Sequence, residues 1–230
     1  MNAMILAAGR GERMRPLTDH CPKPLLTVGG KTLLDWHLER LAGAGFERVV
    51  INIAWLGGLI RRHLDHHAPP GLDIRLSDEG DRALETAGGI ARALPLLGSE
   101  PFLVINADVW TDLDLASLPV APEGLAHLVL TDNPLHHPDG DFCLSADAVT
   151  AHGPGTRLTY TGIGCYRPEL FAGVGHEVAP LAPLLRRAGE RRQLTGQYHR
   201  GEWHDIGTPA RLATLDARLS PDRVPPADAP

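Results

Sequence analysis

The feature that most limits what this chain can fold into is a series of short apolar runs separated by helix-length segments. Residues 4–8, 48–54 and 102–107 are rich in aliphatic side chains and are typical of strands buried on both faces. The spacing of leucines at residues 32–43, with Thr32 as a suitable N-cap, predicts a helix between two of these runs. Strands that alternate with helices predict an α/β fold. We expect a doubly wound, mostly parallel sheet, with helices on both faces and a ligand at the carboxyl ends of the strands.

The same reasoning places the remaining elements. Further helices are predicted at residues 58–64, 83–97, 178–189 and 209–219, and further strands at residues 73–77, 128–131, 157–166 and 193–199. The last helix has a good start signal, because Thr208 can cap it and Pro209 suits the first helical position. The 230 residues fit a single domain at residues 1–219, followed by a Pro-rich tail at residues 220–230.

Composition excludes several function classes. The chain has 22 basic and 28 acidic residues, a formal net charge of −6, which argues against a nucleic-acid partner. No signal-peptide pattern or membrane-length apolar stretch is found, so we expect a cytoplasmic protein without a membrane partner. Cys21, Cys143 and Cys165 lack any CxxC spacing and are expected to be free thiols. In the absence of an assembly segment, a monomer is the default expectation.

The loop after the first run is suited to bind phosphate. Two small residues and two glycines at positions 7–11 allow backbone N–H groups to approach an anion, and arginines at positions 10, 13 and 15 add forked donors. The dinucleotide fingerprint is excluded because its third glycine is replaced by Met14. The P-loop is excluded because Leu25 stands where it requires a glycine. The loop therefore belongs to neither of these two classes of phosphate-binding loop.

The segment LAAGRGERMRPLT, followed by Pro22, Lys23 and Pro24, resembles the signature of the sugar-1-phosphate nucleotidyltransferases, LAAGxGTRxxPxT with a downstream PKP. The one departure is Glu12, where Thr is common. Lys23 is one of only two lysines in the chain, which suggests that a compact charge matters there. The resemblance implies a Rossmann-like domain with a nucleotide-binding half at about residues 1–112 and a sugar-binding half at about residues 113–219. It also implies the reaction, in which a sugar 1-phosphate attacks the α-phosphorus of a nucleoside triphosphate and pyrophosphate leaves.

Two aspartates are candidates for a Mg²⁺ site. Asp108 follows the apolar run at residues 102–107, and Asp205 lies in the segment WHDIGT. Two carboxylates at one sheet edge beside a polyphosphate suit Mg²⁺, although an Asp after a strand is often only a turn residue. The resemblance maps both onto the family's metal-bearing motifs. It also implies that Arg13 holds the leaving pyrophosphate and Lys23 stabilises charge at the α-phosphoryl group, so that Arg13, Lys23 and Asp108 are the predicted catalytic residues.

Residues 78–89, DEGDRALETAGG, are similar to the family's base-reading loop, with Glu79 in the place of a common Gln. An ionised carboxylate only accepts hydrogen bonds, and uracil and thymine offer an N3–H donor where cytosine has an acceptor. Glu79 therefore favours UTP or dTTP over CTP and, less securely, over GTP, unless it is simply a solvated residue of an acidic loop. The predicted nucleotide-binding residues are Leu6, Ala7, Ala8, Gly9, Gly11, Arg13, Lys23, Glu79 and Gly88.

The segments on the sugar side, at residues 140–142, 160–168, 181–188 and 201–208, most resemble the N-acetylmuramate-1-phosphate uridylyltransferases of bacterial cell-wall recycling. This implies UTP and N-acetylmuramic acid 1-phosphate as substrates. The candidate contacts to the sugar are Asn106, Asp141 and the backbone of Gly162. Arg186, Arg187 and Arg200 are available to pair with the lactyl carboxylate, and the sequence does not choose among them.

Three other functions stay open on the sequence alone. Two lie within the same family, a mannose-1-phosphate guanylyltransferase and a glucose-1-phosphate thymidylyltransferase or uridylyltransferase. The third is a catalytically silent nucleotide sensor, which would be expected to lack a metal carboxylate or the lysine. This chain retains Lys23, Asp108 and Asp205.

Overall fold

The structure, a computed structural model, describes residues 1–175 and 177–220. The strands are β1 (Asn2–Leu6), β2 (Thr27–Val28), β3 (Lys31–Thr32), β4 (Arg48–Ile53), β5 (Asp73–Asp78), β6 (Phe102–Asn106), β7 (Val109–Thr111), β8 (Ala126–Thr131), β9 (Phe142–Ser145), β10 (Ala148–Thr150), β11 (Thr156–Tyr166), β12 (Leu194–Tyr198) and β13 (Trp203–Asp205). The helices are α1 (Leu33–Gly43), α2 (Gly57–His67), α3 (Glu85–Leu97), α4 (Ala182–Glu190) and α5 (Pro209–Leu219). All but the first residue of the predicted Pro-rich tail, residues 221–230, lies outside the described residues.

The main sheet has nine strands in the order β5-β4-β1-β6-β11-β8-β12-β10-β9. Strands β5, β4, β1 and β6 pair in parallel. Strand β11 then runs antiparallel between β6 and β8, β12 lies parallel to β8, and β10 is antiparallel to both β12 and β9. Among the described strands of this sheet, only β11 and β10 run against the others. The predicted parallel pairing is thus confirmed for the strands of the first half, and antiparallel pairings that involve the second half make the sheet as a whole mixed.

Helices cover both faces of the sheet. In β1, Ala3 and Ile5 belong to the apolar cluster that contains the leucines of α1 and Ile60 of α2. Met4, between them, belongs to the opposite cluster, with residues of α3 and α4. This division follows from the strand period of two, which turns successive side chains to opposite faces. The predicted doubly wound α/β class is confirmed. No helix among the described residues has the length and apolar character needed to cross a bilayer.

The predicted helix starts hold where a capping signal is present. The Thr32 hydroxyl accepts a hydrogen bond from the Asp35 N–H at 3.0 Å, and the Thr208 hydroxyl accepts one from the Arg211 N–H at 3.3 Å. Helix α4, in contrast, begins four residues later than predicted, at Ala182. The backbone of Ala179 is used elsewhere, because it exchanges hydrogen bonds with the chain at the start of α3. Pro180 also disfavours a helical conformation at the residue before it.

A short antiparallel pair, β7 and β13, joins two distant parts of the chain. In its register Thr111 lies opposite Trp203, and Val109 lies opposite Asp205. The Ile206 N–H donates to the Asp108 carbonyl at 2.9 Å, which extends the pairing by one residue. We call residues 108–111 and 203–206 together the carboxylate ribbon, since they carry both candidate metal ligands.

Candidate active site

A cleft of about 350 Å³ opens at the carboxyl ends of the central strands. Leu6, Asn52 and Asn106 line it and are register neighbours at the ends of β1, β4 and β6. This is where a doubly wound sheet places its ligand. The predicted site residues that line the cleft are Leu6, Ala7, Ala8, Gly9, Gly11, Arg13, Lys23, Glu79, Asn106 and Asp108.

The phosphate-binding loop is shaped by Gly11. Its φ of +68° lies in the left-handed region, which side chains other than glycine rarely adopt. A Cβ at this position would also lie 3.0 Å from the Thr18 methyl group. The Thr18 hydroxyl donates to the Gly11 carbonyl at 2.9 Å, so Thr18 both packs against Gly11 and hydrogen-bonds to it. The loop therefore requires glycine at this position for both conformation and space.

The three arginines of the loop have different tasks, contrary to the expectation that all three would face an anion. Arg10 donates to the Thr18 carbonyl at 2.8 Å and to Asp19 at 3.1 Å, and its guanidinium lies 3.7 Å from the centre of the Trp55 ring. Arg15 also pairs with Asp19, at 2.9 Å. The hydrogen bond from Arg10 lowers the pKa of Asp19, which keeps this carboxylate ionised. Arg13 lines the cleft without a hydrogen bond or ion pair to any described residue. Of the three guanidinium groups, only that of Arg13 is therefore free to bind a phosphate.

Lys23 and Asp108 form an ion pair inside the cleft. The Lys23 ammonium lies 2.5 Å from Oδ2 of Asp108, and the two side chains are 12% and 32% exposed. Residues 23–25 form a helical turn after Pro22, which brings the lysine stem alongside the end of β6. Lys23 of the PKP motif and Asp108 after β6 thus lie next to each other, although 85 positions separate them in the sequence. The pair gives the cleft a fixed cation next to an acidic group.

Asp205 reaches the same edge of the sheet through the carboxylate ribbon. Its Oδ2 accepts from Arg211 at 2.7 Å and lies 3.3 Å from Nε2 of His136. Its Oδ1 lies 3.1 Å from the position that a Cβ on Gly207 would take, and Gly207 lines the cleft. One carboxylate oxygen is therefore anchored to the protein, and the other lies beside Gly207, although Asp205 itself is not among the residues that line the cleft.

The chemistry of these donors fits Mg²⁺. The two aspartates supply hard oxygen ligands on adjacent backbone segments, since β7 follows Asp108 and pairs with the strand that ends at Asp205. Within the described part of the chain, no cluster of three or more His, Cys, Asp or Glu side chains could hold a metal by itself. A site with two carboxylates suits an ion that completes its coordination with waters and substrate phosphates. Asp108 and Asp205 are thus the residues that could hold it.

A buried chain of hydrogen bonds holds Glu79, the acidic residue predicted to read the base. Oε1 of Glu79 accepts from the Asn52 amide and Oε2 accepts from the Leu84 N–H, each at 2.7 Å. Oδ1 of Asn52 in turn accepts from the Ala7 N–H at 2.7 Å. The sequence analysis missed Asn52. Its signal was a polar residue near the carboxyl end of a β-branched strand, where a buried amide needs partners.

Four predicted site residues do not line the cleft, namely Asp205, described above, and Gly88, Asp141 and Gly162. Gly88 lies on α3 with its α-carbon against the chain at residues 177–179, where a Cβ would come within 2.2 Å of the Glu177 carbonyl. Asp141 accepts from the Tyr160 N–H at 2.8 Å and lies 3.1 Å from His137, so it holds its own loop. Gly162, with a φ of +79° at a bulge of β11, packs directly on the side chain of Asn106. It therefore reaches the cleft only through Asn106.

The three arginines considered for the lactyl carboxylate also lie away from the cleft wall. Arg186 and Arg187 are exposed on α4. Arg200 is exposed and lies 4.9 Å from the centre of the Tyr198 ring. Arg211, which the sequence analysis did not consider, lies closer, because its guanidinium is next to the α-carbon of Gly207.

Comparison with known proteins identifies the family. A family model described as nucleotidyl transferase matches residues 2–120. N-acetylmuramate alpha-1-phosphate uridylyltransferase from Neisseria meningitidis serogroup B is 53% identical over 225 residues, covering 94% of this chain and 97% of that protein. The chain belongs to the nucleotidyl transferase family. The protein of the same name from Caulobacter vibrioides is 36% identical, over 95% of this chain and 96% of its own.

The fold of this nucleotidyltransferase is shared with solved structures. UDP-glucose pyrophosphorylase complexed with UDP-glucose superposes with a TM-score of 0.78 at 17% identity, over 96% of this chain and 99% of that one. The resemblance to sugar-1-phosphate nucleotidyltransferases found in the sequence is confirmed. The family model covers the phosphate-binding loop, Lys23 and Asp108 but ends before Asp205. Similarity to the two relatives named above covers the second half as well.

Proposed function

We propose that the protein transfers a uridylyl group from UTP to N-acetylmuramic acid 1-phosphate, giving UDP-N-acetylmuramic acid and pyrophosphate, in cytoplasmic recycling of the bacterial cell wall. The observation that carries this proposal is the near-full-length similarity to two proteins named for that activity. The similarity extends through the second half of the chain, in which the sugar is expected to bind. The three free cysteines fit a reducing compartment.

The reaction needs positioning and charge stabilisation more than proton transfer. A phosphate monoester has a second pKa near 6 and is largely dianionic at pH 7, so its oxygen attacks without a general base. In this proposal Arg13, which has no described protein partner, binds the β- and γ-phosphates that leave as pyrophosphate. Lys23 stabilises the negative charge that develops on the α-phosphoryl group.

A divalent ion is part of the proposal. Asp108 and Asp205 would hold Mg²⁺, which supplies positive charge and a template for the phosphate oxygens when it is bound. Asp205 is kept in place for this by Arg211, and Asp108 by the backbone hydrogen bond to Ile206.

Base and sugar recognition are assigned to the two sides of the cleft. Each oxygen of Glu79 already accepts one hydrogen bond. Because a carboxylate oxygen can accept a second, either oxygen can also accept from the uracil N3–H. The Asn106 side chain has no hydrogen-bond partner among the described residues, and we assign it to a sugar hydroxyl or the acetamido group. Gly162 leaves room for that side chain. Gly88 allows the close packing at the start of α3, and Asp141 holds its own loop.

The assembly proposed is a monomer. Size-exclusion chromatography with light scattering tests this, and a stable dimer would contradict it.

The decisive experiment is pyrophosphate release with Mg²⁺, crossing UTP, dTTP, CTP and GTP with the 1-phosphates of N-acetylmuramate, N-acetylglucosamine, glucose and mannose. We expect release to be fastest with UTP and N-acetylmuramic acid 1-phosphate. Preference for GTP with mannose 1-phosphate would overturn both the base and the sugar assignment while leaving the family unchanged. No release with any pair would favour the nucleotide sensor.

A further inference from the structure

Helix α1 packs directly beneath the carboxylate ribbon. It does not line the cleft among the described residues, yet three of its side chains contact the ribbon or the residues that flank it. The Trp36 and Trp110 rings meet edge to face, with centroids 6.3 Å apart and planes at 88°. The tryptophan pair supplies apolar contact and does not fix the position of the backbone.

Arg40 and His37 do contact the backbone. The guanidinium of Arg40 donates from Nη1 to the Thr111 carbonyl and from Nη2 to the Leu113 carbonyl. Because the fork is planar and rigid, two acceptors two residues apart define both the position and the rotation of that segment. One turn earlier on α1, the buried His37 ring lies against the backbone of Ala107 and Val109, the residues on either side of Asp108, and its Nε2 has no hydrogen-bond partner among the described residues.

These polar groups are costly for stability. Burial lowers the pKa of the Arg40 guanidinium, which shows that the charge is partly removed from water. Burial also lowers the pKa of His37 to about 4, so the ring is neutral at pH 7. Nε2 of His37 and Nε1 of Trp110 are buried without a hydrogen-bond partner in the described chain. Such atoms cost free energy that apolar side chains of similar size would not, so stability alone does not explain these residues.

We infer that Arg40 is a positioning residue that holds the carboxylate ribbon, with His37 packed beside it, so that Asp108 lies in the cleft and Asp205 lies next to the cleft wall at Gly207. The inference rests on the proposed metal role of the two aspartates. Arg40 fixes the end of β7, and β7 carries its partner β13 with Asp205 through their shared register. His37 packs at the start of β7 next to Asp108. Helix α1 therefore determines the position of both carboxylates, although none of its residues lines the cleft in which the substrates are proposed to bind.

The test uses Arg40→Met, which keeps the apolar stem and removes both donors, and Arg40→Lys, which keeps the charge without the fork. Arg62→Met is the matched control, because Arg62 is exposed on α2 and makes no hydrogen bond or ion pair with a described residue. Mn²⁺ binding to each purified protein is measured by electron paramagnetic resonance with UTP present and no sugar phosphate. Affinity for UTP without metal and the melting temperature are measured in parallel.

We expect Arg40→Met to weaken Mn²⁺ binding and kcat about 10- to 100-fold, as supporting residues around metal ligands typically do. Affinity for metal-free UTP should stay close to wild type. The Mn²⁺ affinity and kcat of Arg40→Lys should lie between those of wild type and Arg40→Met. Both values for Arg62→Met should match wild type. Folded Arg40→Met protein with unchanged Mn²⁺ affinity would overturn the inference.

A second pair covers the case in which Arg40→Met fails to fold. His37→Asn keeps an amide near the backbone of Ala107 and Val109, whereas His37→Leu removes it. We expect only the Leu variant to bind Mn²⁺ more weakly, and equal binding by both would contradict the role of His37. Since the resonance measurement needs no sugar phosphate, it remains valid even if the proposed substrate is wrong, and the wild-type substrate panel tests that question separately.

Discussion

At the scale of a single residue, Asp108 is the carboxylate on which the proposed metal site depends most directly. It is paired with Lys23 and partly exposed to the space that the substrates would fill. Asp108→Asn keeps the size of the side chain and removes the charge that would hold Mg²⁺. We expect turnover to fall about 100- to 1,000-fold, while binding of the sugar phosphate, measured by calorimetry, is retained. Substantial Mg²⁺-dependent turnover in this variant would reject Asp108 as a metal ligand.

Glu79 is a residue whose two partners are both donors. The Asn52 amide and the Leu84 N–H each need an acceptor, and Glu79→Gln supplies only one. The other donor would remain buried and unpaired, so urea unfolding should show a loss of about 1–3 kcal/mol. Glu12→Gln is the control, since Glu12 also lines the cleft but is exposed and without a partner among the described residues.

The same Glu79 variant tests base recognition. If the carboxylate accepts from the uracil N3–H, the preference for UTP over CTP should narrow in Glu79→Gln. Discrimination equal to that of wild type, measured as a ratio of kcat/KM values, would leave Glu79 with a structural role alone.

At the scale of elements, the start of α3 depends on the chain at residues 177–179. The N–H groups of Ala87 and Gly88 both donate to the Ala179 carbonyl, at 2.9 and 3.1 Å. Gly88→Ala would place a methyl group 2.2 Å from the Glu177 carbonyl and force these elements apart. We expect a loss of about 1–3 kcal/mol in the free energy of unfolding, because overpacking forces backbone shifts.

Gly43→Ala is the matched control for this substitution. Gly43 is also a helical glycine, and a Cβ there would meet nothing within 4 Å. It should be neutral or more stable by up to about 1 kcal/mol. A higher KM for UTP in Gly88→Ala with unchanged stability would instead support direct contact with the nucleotide.

Elements with a local signal were predictable, and those formed by distant pairing were not. Helices α1 and α5 begin after threonines whose side chains cap them, and their starts were correct within one residue. Strands β7 and β13 have three residues each and form a two-stranded sheet with one another, although they lie in distant parts of the sequence. Nothing in either segment alone shows such a pairing, because short strands carry little periodicity.

The candidate site shows the same division. Lys23 and Asp108 were predicted from motifs and lie together in the cleft. Gly88 and Asp141 were placed by motif position, but the contacts that decide their surroundings come from distant segments. Asn52 was overlooked because it lies within an otherwise apolar strand, and its two partners became visible only in the fold.

On the scale of the whole molecule, one continuous sheet joins the two halves of the chain. Strand β11 of the second half pairs directly with β6 of the first, so neither half has a sheet of its own. We expect a single cooperative unfolding transition in urea. Tryptophan fluorescence and far-ultraviolet circular dichroism should give the same midpoint. Two separate midpoints would show that the halves unfold independently.

The long connection after β1 has a consequence for how the enzyme meets its anionic substrates. In many doubly wound proteins the helix after the first strand begins at the phosphate, whereas here α1 begins only at Leu33, after residues that form the loop and short turns. In the proposed function the triphosphate therefore meets no helix N-terminus directly after β1, and Arg13 and Lys23 add side-chain charge to the backbone N–H groups of the loop. Dissolved ions screen the attraction between solvent-exposed charges. The interaction of the exposed Arg13 with phosphate should therefore be weakened most. The affinity for nucleotide will therefore follow the ionic strength of the surrounding solution.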